Sequence, residues 1–395
     1  MGLRVAQKPP LKKLSKQEKI KRDRIVFDYI KKTWNIFKYF IRAKPVWKCP
    51  QQSDVLIFDQ SGQDILLEYL KPWRPEILHV RGEVINMGVL LKSFFRSGAR
   101  IEAYVDCFIE AVSPRLIVTL IDNNKHFYSI SQRHLYVKTM FVQNGVRSCF
   151  LDIFEYLDSL DSETLNAFSV DHMLVFGSQI GEKYTRYFKG NITPIGSIKN
   201  NFVSKKSLPQ PGVITFVSQW RNGLPFSNNG ISYTHEEFVE QPDRLVVQLL
   251  GDYAKNNNKR LKIILKTLEQ NSLVSLEKAY FKKILGYEPG FQKKQGPYSS
   301  YGFLDSSEVI VTIESTLGYE SIARGNKTAI FSIRGALCKI SGWTFGWPAN
   351  FPDEGLFWTN KPNPDSFVRI LDYLFEVTDE QWQKDLKCTK YSSIV

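Results

Sequence analysis

Residues 312–325 read TIESTLGYESIARG, and this stretch decides the fold class. The apolar run 309–313 has the composition of a buried strand, and the apolar spacing that follows predicts a helix over 318–324. A further strand is predicted at 328–333. This order of strand, polar turn, helix and strand is typical of a parallel α/β sheet, in which ligands bind at the carboxyl ends of the strands.

The polar turn after the first of these strands consists of Glu314, Ser315 and Thr316. The predicted helix begins there with free backbone N–H groups, which suit a bound phosphate. The same residues also fit a purely structural role, in which the hydroxyl of Ser315 or Thr316 caps the helix. Both interpretations stay open from this stretch alone.

Strand-like runs alternate with helical patterns along both halves of the chain. In the first half we predict strands at 55–59, 77–80, 101–105 and 116–121, and helices at 63–70 and 84–97. In the second half we predict further strands at 213–217 and 261–265, and helices at 243–255 and 273–285. This alternation predicts an α/β fold with two Rossmann-like domains facing a cleft, the glycosyltransferase-B architecture.

The alternation and a polar stretch near its middle divide the chain into five predicted segments. They are a basic amphipathic N-terminal segment (1–50), an N-terminal Rossmann-like acceptor domain (51–200), a linker (201–211), a C-terminal Rossmann-like nucleotide-sugar domain (212–364) and C-terminal helices (365–395).

The composition indicates a packed globular protein, with 43% hydrophobic and 13% aromatic residues. We find no apolar run of the length that spans a membrane, and the N-terminus lacks the apolar core of a signal peptide. The five cysteines show no CxxC spacing, which favours free thiols in a reducing compartment and argues against a zinc site. We therefore expect a cytoplasmic protein.

The positive charge is concentrated at one end of the chain. Of the formal net charge of +13, residues 1–50 carry +12, from 15 Lys and Arg against three acidic residues. The rest of the chain is close to neutral, so binding of nucleic acid is not expected. The basic excess is a local feature.

An apolar stripe accompanies these charges, because Phe27, Ile30, Trp34, Phe37 and Ile41 have 3-4-3-4 spacing. A basic amphipathic helix of this kind fits an anionic membrane surface, which predicts peripheral attachment through residues 1–45 to the inner face of the cytoplasmic membrane. The alternative is that the stripe packs on the body of the protein while the lysines stay solvated.

Several catalytic motifs are absent from the sequence, among them the dinucleotide fingerprint GxGxxG, the phosphate loop GxxxxGK[ST], HExxH and GxSxG. An Asp-x-Asp pair, with which many sugar transferases hold a divalent ion, is also absent. We therefore expect chemistry without a metal and without a cofactor.

Polar residues follow many of the predicted strands and supply the candidate site. Asp122 or Glu83 could take the proton of an attacking hydroxyl, and His235 and Glu236 are further catalytic candidates. Lys266 and the helix start at Ser315 could neutralise a nucleotide phosphate. The full set of binding candidates is Arg81, Asn123, Asn124, Gln219, Lys266, Glu314, Ser315, Thr316, Gly318 and Glu320.

The ordered motifs LIDNN, FVQNGVRS, FVSQW, LKIILK and VIVTIESTLGYESIARGNKTAIF resemble bacterial O-antigen and capsule biosynthesis proteins. These are in turn distantly similar to the retaining β-Kdo transferases. The resemblance implies the glycosyltransferase-B fold, a CMP-activated Kdo-like donor held by the C-terminal domain, a glycan or lipid-linked glycan acceptor, and no metal.

The sequence departs from the Kdo transferases at two places. The loop 219–225, where those enzymes have an aspartate nucleophile, contains no carboxylate, so Glu236 or Asp122 would have to supply one. Their Lys-Pro-His-Pro is replaced here by Lys-Thr-Leu-Glu at 266–269. Two other functions therefore stay open: a non-catalytic sugar- or nucleotide-binding partner in polysaccharide assembly, and a UDP-sugar epimerase.

Overall fold

The computed structural model describes residues 43–97, 100–205, 207–223, 226–228, 231–296, 298–389 and 391–394. The apolar stripe at 27–41 and most of the basic segment lie outside these residues. The described part folds around two six-stranded sheets, each with all its strands parallel. Within it, no helix is long and apolar enough to cross a membrane.

The N-terminal half alternates strands and helices. Its strands are β1 (Lys44–Val46), β2 (Val55–Phe58), β3 (Glu76–Leu78), β4 (Val84–Asn86), β5 (Leu116–Thr119), β6 (Lys138–Val142), β7 (Ser169–Val175) and β8 (Lys189–Pro194). Its helices are α1 (Gln63–Leu70), α2 (Met87–Ser97), α3 (Ile101–Val112), α4 (Ile130–Arg133), α5 (Ile153–Asp158), α6 (Ser162–Asn166), α7 (Ser178–Thr185) and α8 (Ile198–Phe202).

The N-terminal sheet has the order β3-β2-β5-β6-β7-β8, while β1 and β4 form a separate parallel pair. Its central strands β2 and β5 read VLIF and LIVT and are largely buried. Such continuous apolar runs are expected where helices cover both faces of a parallel sheet. Two apolar clusters, one on each face, form the core of this half.

The C-terminal half has the same construction. Its strands are β9 (Gln210–Val217), β10 (Phe226–Asn228), β11 (Ile231–Tyr233), β12 (Arg260–Leu268), β13 (Gly290–Lys294), β14 (Ser307–Thr312), β15 (Thr328–Phe331) and β16 (Trp358–Thr359). Its helices are α9 (Gln241–Asn256), α10 (Val274–Leu285), α11 (Ser299–Asp305), α12 (Thr316–Ala323), α13 (Arg334–Leu337), α14 (Pro364–Glu376) and α15 (Asp379–Cys388).

The C-terminal sheet has the order β13-β12-β9-β14-β15-β16, which is the Rossmann order. The connections on the two sides of β9 run in opposite directions, so the crevice between the ends of β9 and β14 is the switch point where such sheets bind ligands. The quoted stretch 312–325 lies here, with β14 before the turn and α12 after it. The predicted α/β class is confirmed.

Some predicted elements differ from the structure. Residues 101–105 were predicted as a strand but begin α3, because Val105, Phe108, Ile109 and Val112 are buried at helical spacing. The helix predicted at 84–97 begins instead with β4, which pairs with β1. Sequence reasoning missed the short hairpin β10–β11 and the edge strand β13, whose sequence GFQKK is too polar to signal a buried strand.

Contacts between the two halves hold the cleft in shape. The backbone N–H of Val146, after β6, donates to Oγ1 of Thr316 at 3.1 Å. The chain end also returns to the N-terminal half, where a Cβ on Gly177 would lie 2.2 Å from the carbonyl oxygen of Ser393. The ends of β6 and β14 therefore meet across the cleft.

Candidate active site

A pocket of about 210 Å³ lies between the two halves, at the carboxyl ends of both sheets. One wall comes from the loop after β6 and the other from the ends of β9, β14 and β15. The side chains that line it include Arg147, Phe150, Asp152, Gln219, Arg221, Phe238, Glu314, Arg334, Trp343 and Trp347. Both charged groups and aromatic rings line the pocket.

Glu314 and Arg334 form the charged centre of the C-terminal wall. Nη1 of Arg334 donates to Oε2 of Glu314 at 2.6 Å, and both side chains are buried. Burial raises the pKa of Glu314, while the positive charge of Arg334 acts against this rise. The amide oxygen of Gln219 accepts the backbone N–H of Glu314 at 3.1 Å, which joins the ends of β9 and β14.

Aromatic rings surround this ion pair. The rings of Phe238 and Trp343 lie 5.6 Å apart between centroids, and Phe150 lies 5.6 Å from Trp343. The guanidinium of Arg334 lies over Phe238 at 5.3 Å and donates through Nε to the carbonyl oxygen of the same residue. These contacts hold Arg334 in one orientation at the pocket wall.

The sequence predicted that Asp122 would project into the cleft, and this prediction is wrong. The side chain of Asp122 is fully buried. Its carboxylate accepts hydrogen bonds from two nitrogens of Arg147, from the hydroxyl of Tyr184 at 2.6 Å and from the backbone N–H of Asn144 at 3.3 Å. These donors occupy the acceptor sites of a carboxylate. Asp122 is therefore placed to orient Arg147, which lines the pocket.

Glu320, another predicted binding residue, does not line the pocket. Its side chain is buried between the two halves, where Oε1 accepts the hydroxyl of Ser197 at 2.5 Å. Burial raises the pKa of Glu320, and hydrogen bonds from Ser197 and Tyr301 act against this rise. The sequence could not foresee this, because the face of α12 that meets the N-terminal half depends on how the halves pack.

The start of α12 shows the capping role that the sequence allowed for Ser315, and phosphate binding there stays a prediction. The hydroxyl of Ser315 accepts the backbone N–H of Leu317 at 3.3 Å and so caps the helix, whereas Thr316 receives the hydrogen bond from the N-terminal half. Gly318 packs against β14 so closely that a Cβ would lie 2.2 Å from Cγ2 of Thr312. The helix start is thus fixed next to the pocket.

Cationic side chains lie after β9 and near the carboxyl end of β12, beside the pocket. Lys266 keeps an exposed surface, yet the surrounding protein and the nearby Arg221 lower the pKa of its ammonium group to about 8. Burial and the charge of Arg334 lower the pKa of Arg221. The fully buried carboxylate of Glu277 accepts the backbone N–H groups of Lys266 and Thr267, at 2.8 and 2.9 Å, and fixes the end of β12.

The remaining predicted residues lie at several places. His235 contacts Glu240 and the carbonyl oxygen of Arg221, and Glu236 is exposed and paired with Arg244, so neither lines the pocket. Asn124 accepts the backbone N–H of His126 in a turn, and Asn123 is exposed. Arg81 and Glu83 lie in the loop between β3 and β4, which follows the carboxyl end of β3 at the same edge of the N-terminal sheet as Asp122.

Residues 140–395 match the pattern of a family described as "putative O-antigen biosynthesis protein". The chain belongs to this family. None of the curated proteins matches it in sequence.

Solved structures show what the fold is similar to. A Listeria monocytogenes protein described as a "putative UDP-N-acetylglucosamine 2-epimerase" matches with a TM-score of 0.51 and 12% identity, over 86% of this chain and 91% of that chain. The UDP-GlcNAc 2-epimerase of Neisseria meningitidis has a TM-score of 0.48, 11% identity and coverages of 86% and 95%. The wall teichoic acid polymerase TagF has a TM-score of 0.47, 13% identity and coverages of 86% and 84%. The similarity to the Listeria protein confirms the predicted fold of two Rossmann-like domains facing a cleft, the glycosyltransferase-B architecture.

In this member of the O-antigen biosynthesis family, sequence reasoning missed several pocket residues. Arg334 begins α13, three residues after the end of β15, and could have been found by the strand-end rule that found Glu314. Trp343 and Trp347 come from the loop ISGWTFGWP, which has no secondary-structure period and gives only a cluster of aromatic residues as a signal. Asp152 caps α5 and pairs with Arg147, a role visible only in the structure.

Proposed function

We propose that this protein is a glycosyltransferase that transfers a sugar from a nucleotide-sugar donor to a glycan acceptor in surface polysaccharide biosynthesis. The observation that carries the proposal is the pocket between the halves, where the Glu314–Arg334 pair and aromatic rings face the loop after β6. Membership of the O-antigen family and the two-domain fold support it. A cleft between two domains allows donor and acceptor to enter from opposite sides.

The C-terminal half binds the nucleotide phosphates in this proposal. Arg221 forms no ion pair with an acidic side chain in the described part of the chain, so its charge is available to a ligand. Lys266 lies nearby at the end of β12, and the amino end of α12 adds a favourable dipole beside Ser315. Cations at these positions stabilise the negative charge that develops on a departing nucleotide.

The finer proposal is a CMP-activated ulosonic acid similar to Kdo as donor, without a metal ion. The resemblance stated above suggests this donor, and the cationic groups at the pocket suit its carboxylate as well as its phosphate. The described residues contain no group of three or more His, Cys, Asp or Glu side chains placed to hold a metal. Metal independence itself stays a prediction.

The two other functions share the same cleft and differ in outcome. A UDP-sugar epimerase would interconvert free UDP-sugars without an acceptor, and a non-catalytic partner would bind a nucleotide without turnover. The epimerase remains an alternative because a protein of similar structure is described as an epimerase. A similarity at 12% identity concerns the fold alone.

The proposal also includes attachment to an anionic membrane. α2 exposes Leu91, Phe94 and Phe95, to 49%, 59% and 85%. Lys92 and Arg96 of the same helix are also exposed, and the two cations share one acidic partner, Glu110. A helix face that combines exposed apolar rings with cations is typical of membrane-surface helices. β1 follows the basic segment 1–42 closely in sequence and pairs with β4, which leads directly into α2. Residues 1–45 and this face are thus suited to bind one surface together.

The proposed function is tested by nucleotide binding and by product analysis. We expect CMP, in a comparison with UDP, GDP and TDP, to raise the melting temperature and to bind by calorimetry. Arg221→Ala should weaken this binding, whereas Arg244→Ala, in an exposed pair with Glu236, should not. If none of the four nucleotides binds, the proposal is wrong. Interconversion of UDP-sugars without an acceptor would instead identify an epimerase.

A further inference from the structure

A cluster of polar side chains with unused hydrogen-bonding atoms lies near the carboxyl ends of β2 and β3. In the described part of the chain, four buried side-chain N or O atoms lack a hydrogen-bond partner. Three of them belong to this region of the N-terminal half: Oε1 of Gln63, Nδ1 of His79 and Oε2 of Glu83. Because buried polar atoms in folded proteins are nearly always paired, this concentration indicates a place where a ligand supplies partners.

The topology places Gln63 beside the switch point of the N-terminal sheet, which lies between β2 and β5, and places His79 and Glu83 after the neighbouring edge strand β3. β2 pairs with β3 on one side and with β5 on the other, and the chain leaves β2 through α1, which begins at Gln63. Ligands of open parallel sheets bind in the crevice at such a point. The C-terminal half reaches this edge as well, since the hydroxyl of Tyr298 donates to Oδ2 of Asp64 at 3.2 Å. The start of α1, where Gln63 lies, therefore meets the C-terminal half.

Asp59, the first residue after β2, holds the loop that carries His79 and Glu83. Its φ of 78° lies in the left-handed region, which is unfavourable for a residue other than glycine and is often found at functional sites. Its fully buried carboxylate accepts the backbone N–H of Ser61 at 2.9 Å and Nε of Arg81 at 2.6 Å. The loop after β3 is thereby fixed to the end of β2.

The unused atoms define the chemistry of the ligand. Oε1 of Gln63 and the carboxylate oxygen Oε2 of Glu83 are hydrogen-bond acceptors. Burial lowers the pKa of His79, although the charges of Glu83 and Asp59 act in the opposite direction, so a neutral imidazole with one accepting nitrogen is favoured. The charge of Arg81 is balanced by Asp59, which leaves the cluster unsuited to a phosphate. A ligand with several O–H donors, such as a sugar, matches it.

We propose that His79, Glu83 and Gln63 form the subsite for the acceptor sugar, in which Nδ1 of His79 takes the proton of the attacking hydroxyl. This step rests on the proposed transfer function. The acceptor oxygen forms a bond to the anomeric carbon of the donor, the bond from that carbon to the phosphate oxygen breaks, and its electron pair leaves with the nucleotide. The negative charge of Glu83 stabilises the imidazolium that results. His79 thus takes the role that the sequence had offered to Asp122 or Glu83.

Sugar binding can be tested without any transfer reaction, by following the imidazole signals of the five histidines by NMR. The signal of His79 is assigned from its loss in His79→Gln. The probes are N-acetylglucosamine, galactose and rhamnose, with inorganic phosphate as the anion control. We expect at least one sugar, and not phosphate, to shift the His79 signal while the His172 signal stays unchanged. A His79 signal that responds to none of the three sugars, or to phosphate alone, overturns the proposal.

A second measurement separates this inference from the proposed function. In a transfer assay, His79→Gln should lower kcat by about 10²- to 10⁴-fold, the usual scale for a general base, with nucleotide affinity unchanged. His172→Gln, at an exposed histidine on β7, serves as the control and should keep full activity. A kcat that falls in Glu83→Gln but not in His79→Gln overturns the role of His79. If the wild type transfers no sugar at all, the proposed function fails, and the NMR titration still decides whether the subsite binds a sugar.

Discussion

The carboxylate of Asp122 and the guanidinium of Arg147 form a buried, two-point ion pair at the carboxyl edge of the N-terminal sheet. Arg147 also approaches Asp152, with Nη1 at 3.4 Å from Oδ1, and lines the pocket between the halves. Ion pairs with two carboxylates hold the guanidinium of Arg147 in a single orientation. The pair therefore connects the stability of the N-terminal sheet to the shape of the pocket.

The first prediction concerns this pair. Asp122→Asn keeps the shape of the side chain but leaves the guanidinium of Arg147 without its main counter-charge in a buried position. Breaking a buried ion pair in this way costs about 3–5 kcal/mol. We expect a fall of that size in the free energy of unfolding, measured in urea. Glu236→Gln removes the exposed pair with Arg244 and should cost about 1 kcal/mol or less. An Asp122→Asn protein as stable as the wild type would show that the ion pair with Arg147 does not stabilise the fold.

The second prediction concerns Lys266, whose ammonium group has a pKa lowered to about 8. The charged form binds phosphate, so nucleotide affinity should fall as the pH rises through 8 and the lysine loses its proton. In Lys266→Met, calorimetry should show weaker binding at pH 7 and a loss of most of this pH dependence. Lys282→Met, at an exposed lysine paired with Glu288, is the control and should bind as the wild type does. Equal affinities for the wild type and Lys266→Met at pH 7 would exclude Lys266 from the phosphate site.

The third prediction concerns the exposed face of α2. Phe94→Ser with Phe95→Ser removes two exposed rings and leaves the cations in place. We expect the full-length variant to bind vesicles of phosphatidylglycerol and phosphatidylethanolamine several-fold more weakly than the wild type, and both proteins to bind less as salt rises. Leu135→Ser changes a side chain that is 87% exposed elsewhere on the N-terminal half and should not change vesicle binding. Equal binding by all three proteins would leave residues 1–45 as the sole candidate for membrane attachment.

The sequence predicted the architecture and part of the site for a physical reason. Buried parallel strands require continuous apolar runs, and the polar residues after them must gather at one edge of the sheet, so Glu314 and Gln219 were found together. The pairing of Asp122 with Arg147 was not predictable, because it depends on loop geometry between residues 25 positions apart. The surroundings of Glu320 were not predictable either, because they depend on the packing of the two halves. His79 was not predicted because the strand-end rule was applied to carboxylates and His79 carries an imidazole.

The last prediction concerns Asp243, a fully buried carboxyl group on α9 in the C-terminal half. Its Oδ1 has no hydrogen-bond partner and its Oδ2 accepts the hydroxyl of Tyr280 at 3.1 Å. Burial raises the pKa of Asp243 to about 7, even though Arg334 acts in the opposite direction. The folded state then binds a proton that the unfolded chain releases near pH 4, so Asp243 lowers the stability progressively as the pH rises from about 4 through 7. At about 1.4 kcal/mol per pKa unit, the loss of stability above pH 7 is at most about 4 kcal/mol.

Asp243→Asn cannot ionise, so the difference in unfolding free energy between this variant and the wild type should move in favour of the variant between pH 5 and pH 8. Asp365→Asn, at an exposed position in the first turn of α14, should show no such change. A difference between Asp243→Asn and the wild type that stays constant over this range would mean that Asp243 is already ionised in the folded protein at pH 5.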